Sequence, residues 1–470
     1  MDSEPLDPLY AEVFSIPENG TPDNITQAGC LALARLGKKA WNEWRLKYPS
    51  QVIAFYVTSN AADFSGYDFS KESINFNGFK FGHGANFNNA QFGNAQFGQA
   101  NFAGAEFGES AYFIGAKFGS SPRFCDARFG DLATFRGAQF SQNAIFTNVQ
   151  FGDYVCFDGA QFGDATRFDQ QAKFGNNASF EGTQFGNDTN FDSAEFRGSA
   201  TFTGRNWASL TNQYSECSDK FEVIKAWAEE RGLSPETINS ISFAGAKFND
   251  RVDFSGRKFE GHTSFLRTTF DKAPLFHNCK LHQGTTFDGA IFPDPSADPT
   301  ENDIAARAYR TLKLAFSQHQ ATHDEQRFFR LEMAEEARRE PQYARHLLFR
   351  LYSFFSDYGF SVSRPFVWLV VIPLLVTVPI YGWLADFTPC FLWQTECQIR
   401  FDLLQFSLIQ ALPLPGLDKW SDSLRQCLFP TASGAWQGIM LTGILMLHKA
   451  LSLLAVFLMG LALRNLFKMK

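Results

Sequence analysis

A phenylalanine recurs at every fifth or sixth residue from Phe87 to Phe202 of this 470-residue chain. The spacing begins as fives and then mostly alternates between five and six. The residue two positions earlier is alanine before 16 of these 22 phenylalanines, and proline, valine or threonine before the other six. A second block, from Phe243 to Phe292, repeats the pattern with strict alternation of five and six. The chain therefore places one large and one small residue at a fixed offset many times over.

This pattern excludes the common regular structures. Residues 85–202 contain 15 glycines, and each costs about 1 kcal/mol in a helix interior. A long amphipathic strand requires a period of two, which is absent. The pattern instead predicts a solenoid whose chain turns a corner every five or six residues. Phenylalanine fills its axis, alanine leaves room for the phenylalanine of an adjacent coil, and glycine, asparagine and aspartate form the corners.

The motif A-x-F-x-x at this spacing resembles bacterial pentapeptide-repeat proteins over roughly residues 60–292, and WNEWRLKYP (Trp41–Pro49) is similar to the lead-in of such proteins. The resemblance implies a mainly β fold, a right-handed quadrilateral β-helix with about four sides per coil. The sixth residue departs from the strict repeat, and it predicts either bulged corners or an 11-residue half-coil.

The expected order of domains follows from this repeat and from the flanking composition. A helical cap comes first, and a helical insertion, with Ser218 or Asp219 as its N-cap and its end near Arg231, interrupts the β-helix. Residues 20–50 and the helical segment after residue 292 should cover its ends. The expected ranges are 1–59 for the cap, 60–202 and 241–293 for the β-helix, 203–240 for the insertion, 294–360 for a helical membrane-proximal linker, and 361–470 for a two-helix transmembrane domain.

Two apolar runs predict a transmembrane hairpin. Pro365–Ala385 has no charge over 21 residues, and Gly438–Leu463 is interrupted only by His448 and Lys449; either run can cross about 30 Å of hydrocarbon. Basic residues precede the first run and follow the second, whereas the loop 386–436 has three basic and five acidic residues. The positive-inside rule predicts a multi-pass protein of the cell inner membrane with both termini cytoplasmic. Two core helices of a soluble protein are the alternative interpretation.

The loop between the runs contains Leu403–Leu417, which is apolar but too short to span and is typical of a re-entrant or interfacial segment. Helix, short segment and helix is also the order of two-helix cation channels, which this region loosely resembles, although no TVGYG-like filter is present. Lys449 either lines a pore or extends its amine to the membrane surface. The candidate pore-lining residues are Leu408, Leu412, Pro413, Leu414, Pro415, Gly416 and Lys449.

Cysteines and histidines give weaker signals. Cys390 and Cys397 are the candidate disulfide, for which Cys427 competes, and the other five cysteines have the spacing of buried free thiols. His319 and His323 have a spacing that suits zinc, but a solvated polar helix face explains them equally well. No catalytic, cofactor-binding or metal site is assigned, and no cofactor is expected.

Function is predicted mainly by elimination. The chain contains no nucleophile elbow, P-loop, HExxH motif or nucleotide fingerprint, so we expect no enzyme. A net charge of −7 gives no attraction to nucleic acid. The sequence predicts a membrane-anchored scaffold, in contact with membrane lipid, that presents its cytoplasmic β-helix to a protein partner. The alternative is an oligomeric ion-conducting pore assembled or gated through the solenoid. A homo-oligomer is expected in either case.

Overall fold

The computed structural model describes residues 7–53, 56–72, 74–93, 100–213, 225, 234–339, 343–359, 361–384, 397–412, 418–429 and 435–467. The chain divides into two compact units. The first comprises Met1–Asp294 and Arg307–Asp324, and the second comprises Pro295–Ala306 and Glu325–Lys470.

The first unit contains a β-solenoid of about eight coils, as the repeat predicts. Short parallel strands pair with the strands one coil away, so that Glu106 pairs with Arg128 and Arg128 with Gln150. These two steps each advance the chain by 22 residues, which is the sum of two fives and two sixes, whereas the step from Glu195 to Lys247 spans 52 residues because it contains the insertion. The alternating spacing is thus a property of the coil, whose half is 11 residues. The right-handed path and the quadrilateral outline stay predictions.

Four parallel ladders run along the solenoid, and single bridged residues extend the two shorter ones. The longest ladder consists of β5 (Lys80–Gly82), β6 (Glu106–Phe107), β8 (Arg128–Phe129), β10 (Gln150–Phe151), β12 (Lys173–Phe174), β16 (Glu195–Phe196), β20 (Lys247–Phe248) and β24 (Thr269–Phe270). The second consists of β7 (Lys117–Phe118), β9 (Gln139–Phe140), β11 (Gln161–Phe162), β14 (Gln184–Phe185), β18 (Thr237–Ile238) and β22 (Lys258–Phe259). The shorter ladders consist of β13 (Ala178–Ser179), β17 (Ala200–Thr201) and β21 (Val252–Asp253), and of β15 (Thr189–Asn190), β19 (Ile241–Ser242) and β23 (Thr263–Ser264).

Columns of stacked phenylalanine rings fill the solenoid axis. The ring centroids of Phe113 and Phe135 are 4.8 Å apart, those of Phe135 and Phe157 are also 4.8 Å apart, and the planes of each pair lie within 9° of parallel. The preceding small residues are buried as well, as Ala111 and Ala133 illustrate. The large and small positions of the repeat therefore both face the core. Phe97 lies outside the described residues.

Helices pack on the first coil. Two antiparallel hairpins, β1 (Gly20–Thr21) with β2 (Asn24–Ile25) and β3 (Gln51–Ile53) with β4 (Tyr56–Ser59), flank α1 (Gln27–Arg35) and α2 (Lys38–Lys47). Trp41 of α2 is fully buried, and its ring lies 5.6–5.7 Å from those of Phe64, Phe79 and Phe81. Its indole N–H donates to the Lys80 carbonyl at 2.8 Å. The solenoid axis thus ends on a tryptophan.

The last coil is covered by the part of α4 (Pro299–Gln318) that belongs to the first unit, from Arg307 onward. Phe316 contacts Phe287 at a ring distance of 5.9 Å, and Tyr309 contacts Phe292 at 5.8 Å. His319 Nε2 lies 2.9 Å from the carbonyl oxygen of Leu281.

The insertion leaves the solenoid after Phe202 and returns at Thr237. Its described part contains α3 (Trp207–Gln213), whose Leu210 side chain packs directly over Gly182. A Cβ at Gly182 would lie 2.7 Å from Leu210 Cδ1, and φ is +60° there, so glycine is favoured at this position. The predicted helix from Ser218 or Asp219 to Arg231 lies outside the described residues.

The second unit is helical. Its elements are α5 (Thr322–Arg339), α6 (Tyr343–Ser356), α7 (Ser363–Leu384, with a π-helical turn at Pro373–Thr377), α8 (Cys397–Ala411), α9 (Asp418–Leu428) and α10 (Ala435–Phe467). Ser363–Leu384 and Gly438–Arg464 are long and apolar enough to cross a membrane. The described part of the predicted re-entrant segment forms the last turns of α8, and a core around Tyr381, Phe406 and Leu441 joins α7, α8 and α10.

Candidate functional site

One corner of the solenoid exposes two large apolar side chains on successive coils. Leu132 and Tyr154 lie 22 residues apart, are 37% and 56% exposed, and stand beside Asp131 and Asp153. One coil earlier the equivalent position is Ser110, and Glu109 directly precedes it. We define the acidic corner as Glu109, Asp131, Leu132, Asp153 and Tyr154.

The backbone of the acidic corner is unusual for its residue types. Leu132 and Tyr154 have φ values of +63° and +61°, a region that bulky residues rarely adopt. The amide of Leu132 donates to the Asp153 carbonyl at 2.8 Å, and that of Tyr154 donates to the Asn176 carbonyl at 2.7 Å. The hydrogen bonds between coils therefore hold both side chains outward in a conformation that glycine or asparagine would adopt more easily.

Two carboxylates of the acidic corner, those of Asp131 and Asp153, are held by hydrogen bonds. Asp131 Oδ1 accepts a hydrogen bond from the amide of Asp153 at 2.8 Å, and Asp153 Oδ1 accepts one from the amide of Asn176 at 2.7 Å. This bond from Asn176 lowers the pKa of Asp153. The corner thus presents ordered negative charge around two apolar groups. Tyrosine is enriched among residues that dominate binding energy at protein interfaces, so this arrangement suits a protein ligand.

Arg257 is a second feature that sequence reasoning missed. It is fully buried, although it occupies the small position two residues before Phe259. Its guanidinium donates to the carbonyls of Phe180 and Thr183, each at 2.9 Å, and to those of Phe202 and Pro235. Burial lowers the pKa of Arg257 to about 9, so the group stays charged at neutral pH. Arg257 therefore binds carbonyls around the insertion. Its sequence signal is an arginine at a repeat position that otherwise holds a small residue.

Polar groups cluster inside the helical unit. The hydroxyl of Tyr381 lies 3.0 Å from Nδ1 of His448, and the hydroxyls of Thr377 and Ser407 lie 2.5 Å apart. All four residues are buried, and Thr377 ends the π-helical turn of α7. The cluster connects α7 with both α8 and α10. Gln410 of α8 donates to Ser421 of α9.

The candidate pore residues are only partly described. Leu408 lies on α8 and Leu412 follows it, with exposures of 37% and 43%. Lys449 is exposed on α10, directly after His448. The remaining candidates lie outside the described residues: Pro413, Leu414, Pro415 and Gly416.

The thiols differ in part from expectation. Cys390 lies outside the described residues, as do the side chains of Cys397 and Cys427, so the disulfide stays a prediction. Cys30, Cys125, Cys156 and Cys279 are free, and the expectation of burial holds for Cys30 and only in part for the other three, which are half-buried. Cys279 occupies the small position two residues before Leu281, where its thiol donates to the Phe254 carbonyl at 3.0 Å. Cys217 lies outside the described residues. Desolvation still raises the pKa of Cys156 to about 12.

The two histidines with zinc-like spacing are not joined by further ligands in the part of the chain that the structure describes, where no group of three or more potential metal ligands occurs. His319 instead contacts the Leu281 carbonyl.

Comparison with known proteins supports the assignment of the repeat. Residues 92–138 match the family described as pentapeptide repeats (9 copies). No curated protein and no solved structure matches the chain. The described part of the matched segment lies within the coils described above, and those coils continue on both sides of it with parallel pairing. The chain therefore carries a pentapeptide-repeat β-solenoid, followed by two helices that are long and apolar enough to cross a membrane.

Proposed function

We propose that this protein is a membrane-anchored, non-enzymatic scaffold whose cytoplasmic solenoid binds a protein partner. The observation that carries the proposal is the acidic corner, where Leu132 and Tyr154 are exposed on a rigid β-surface. Rigid aromatic side chains bind partners at a low entropic cost because few rotatable bonds are immobilised. Pentapeptide-repeat solenoids are generally not enzymes, and the exposed side chains of the acidic corner suit a partner surface better than a small substrate.

The proposed anchor is the pair α7 and α10 in the inner membrane of a bacterial cell, with both chain termini cytoplasmic. Exposed Arg350 and Arg364 lie before the first span, and exposed Arg464 ends the second. Cytoplasmic flanks of membrane helices are enriched in such residues. Among the described residues, no contact or cavity specifically favours an ion-conducting pore.

Site-specific photocrosslinking in cells tests the proposed scaffold. A photoreactive amino acid replaces Tyr154 in one variant and Asn143, an exposed residue at another corner, in the matched control. We expect a discrete crosslinked species from position 154 and none from position 143. Equal crosslinking at both positions, or none at position 154, would contradict binding at the acidic corner.

The anchor is tested separately. We expect the full-length protein to stay in the membrane pellet after an alkaline wash. An impermeant maleimide applied to intact cells should not label Gln150→Cys on the solenoid surface. Release by the wash would refute the anchor, and labelling of position 150 from outside would refute the cytoplasmic orientation.

A further inference from the structure

A narrow cleft lies within the helical unit, between the end of α6, the first half of α7 and the second half of α10. It encloses about 50 Å³. Phe355 of α6 and Trp368 of α7 line it, and their rings lie 5.4 Å apart. Leu451, Ala455 and Leu458 of α10 also line it.

The chemistry of this cleft favours hydrocarbon over water. The lining is apolar apart from Ser452. A buried water requires two to four polar partners, and apolar cavities of sufficient size stay dry and bind apolar ligands. The cleft is therefore suited to part of an aliphatic chain.

Cationic groups lie next to one end of this cleft. Arg364 directly precedes Pro365, which lines the cleft, and its side chain is 48% exposed. Its guanidinium donates to the Ser353 carbonyl at 2.8 Å, so it is held in place. Asp357 lies within 4 Å of both Arg364 and Arg330, so Arg364 shares this carboxylate with a second arginine.

A further cation, Arg464, lies near the C-terminal end of α10. Arg464 is exposed and comes six residues after Leu458, about 9 Å farther along the helix axis. The adjacent α6 also exposes Leu347, Leu351 and Phe354, at the spacing of one helix face. An apolar surface thus continues from the cleft onto α6, where the Phe354 ring lies 5.1 Å from that of Trp368.

We propose that this cleft binds part of one acyl chain of an anionic glycerophospholipid, whose phosphate is bound by Arg364 and Arg464. An apolar slot with cations at one end is complementary to an amphiphile with an anionic head and an aliphatic tail. The proposal rests on the membrane insertion of α7 and α10 proposed above, and α6 then lies along the lipid headgroups.

Fluorescence quenching by brominated lipid tests this site. Full-length protein in mild detergent is titrated with brominated phosphatidylglycerol or brominated phosphatidylcholine, and the Trp368 signal is obtained as the difference from Trp368→Phe. We expect half-maximal quenching at an about fivefold lower concentration of the anionic lipid. Arg364→Gln should abolish most of this preference. Asp357→Asn, which leaves the guanidinium charge, should retain it.

A second pair of variants tests occupancy of the cleft itself. Ala455→Leu fills the cleft, whereas Ala450→Leu adds the same volume on the exposed side of α10. We expect the first to suppress quenching of Trp368 and the second to leave it unchanged. Equal quenching by both lipids in the unmodified protein, or equal effects of the two alanine variants, would overturn the site. If either result is obtained with a protein that stays in the membrane pellet after the alkaline wash, the lipid site is refuted and the membrane anchor is not.

Discussion

Arg257 occupies a position that the repeat otherwise gives to a small side chain. The neighbouring coils use the same inward position for weaker donors: Thr183 bonds the Phe157 carbonyl and Thr268 bonds the Phe243 carbonyl. Arg257 extends this local rule because the insertion brings several carbonyls to one point. A long side chain with several donors can reach all of them, and a hydroxyl cannot.

We therefore expect Arg257→Ala to reduce the free energy of unfolding by at least about 3 kcal/mol, since buried carbonyls lose their donor. Lys258→Ala is the matched control, because Lys258 is adjacent, is 52% exposed and makes only a surface ion pair with Glu236. Its loss should cost about 1 kcal/mol or less. Chemical denaturation followed by circular dichroism measures both. Similar values for the two variants would show that the buried guanidinium does not hold the insertion corner.

Phe146 tests the stacked core. Its ring lies 4.9 Å from that of Phe124 and 4.6 Å from that of Phe168. Phe146→Ala should reduce the free energy of unfolding by about 3–5 kcal/mol, because the close-packed axis cannot fill the cavity. Gln150→Ala, on the outer side of β10, should change it by about 0.5 kcal/mol or less. Equal thermal shifts in the two variants would be inconsistent with a phenylalanine-filled axis.

At the level of elements, α2 and the first coil form one packed layer around Trp41. A solenoid end exposes unpaired strand edges unless another element covers them. Trp41→Ala should reduce stability by about 3–5 kcal/mol, and it should promote association through the uncovered end. Leu46→Ala on the same helix is the control, since Leu46 is 83% exposed. Light scattering on freshly purified protein measures association. A monodisperse Trp41→Ala protein with unchanged stability would show that the tryptophan is not needed to cover the coil.

The elements also show why the sequence predicts some features and not others. Each side of the solenoid obeys a rule local to five or six residues, so the fold and the inward direction of Phe146 follow from spacing alone. The contacts of Arg257 join residues up to 77 positions apart, and no local rule contains them. The approach of Tyr381 to His448 depends in the same way on how two apolar helices face each other, which hydropathy does not determine. The acidic corner lies between these cases, because Leu132 and Tyr154 stand where the corner pattern expects glycine, asparagine or aspartate.

For the whole molecule, we expect a homo-oligomer formed through the membrane helices. Only 22% of the apolar part of α10 is buried within the chain, and small residues allow helices to approach closely in lipid. Gly443 and Gly460 of α10 have open space where a Cβ would lie. A Cβ at either position meets no described atom within 4 Å, and leucine favours the helix by about 0.8 kcal/mol relative to glycine. We therefore expect either leucine variant to keep its fold, which circular dichroism checks.

Mass photometry of the full-length protein in nanodiscs measures this assembly. We expect more than one copy per particle, and we expect Gly443→Leu or Gly460→Leu to shift the distribution toward single copies while the far-ultraviolet circular dichroism stays unchanged. The two glycines lie on different faces of α10. They are 17 residues apart, and this separation is about 100° short of five full helical turns. The variant that disrupts assembly therefore identifies the contacting face. Single copies of the unmodified protein in both detergent and nanodiscs would contradict the oligomer and remove the pore alternative, and the anchored scaffold would then act as a monomer.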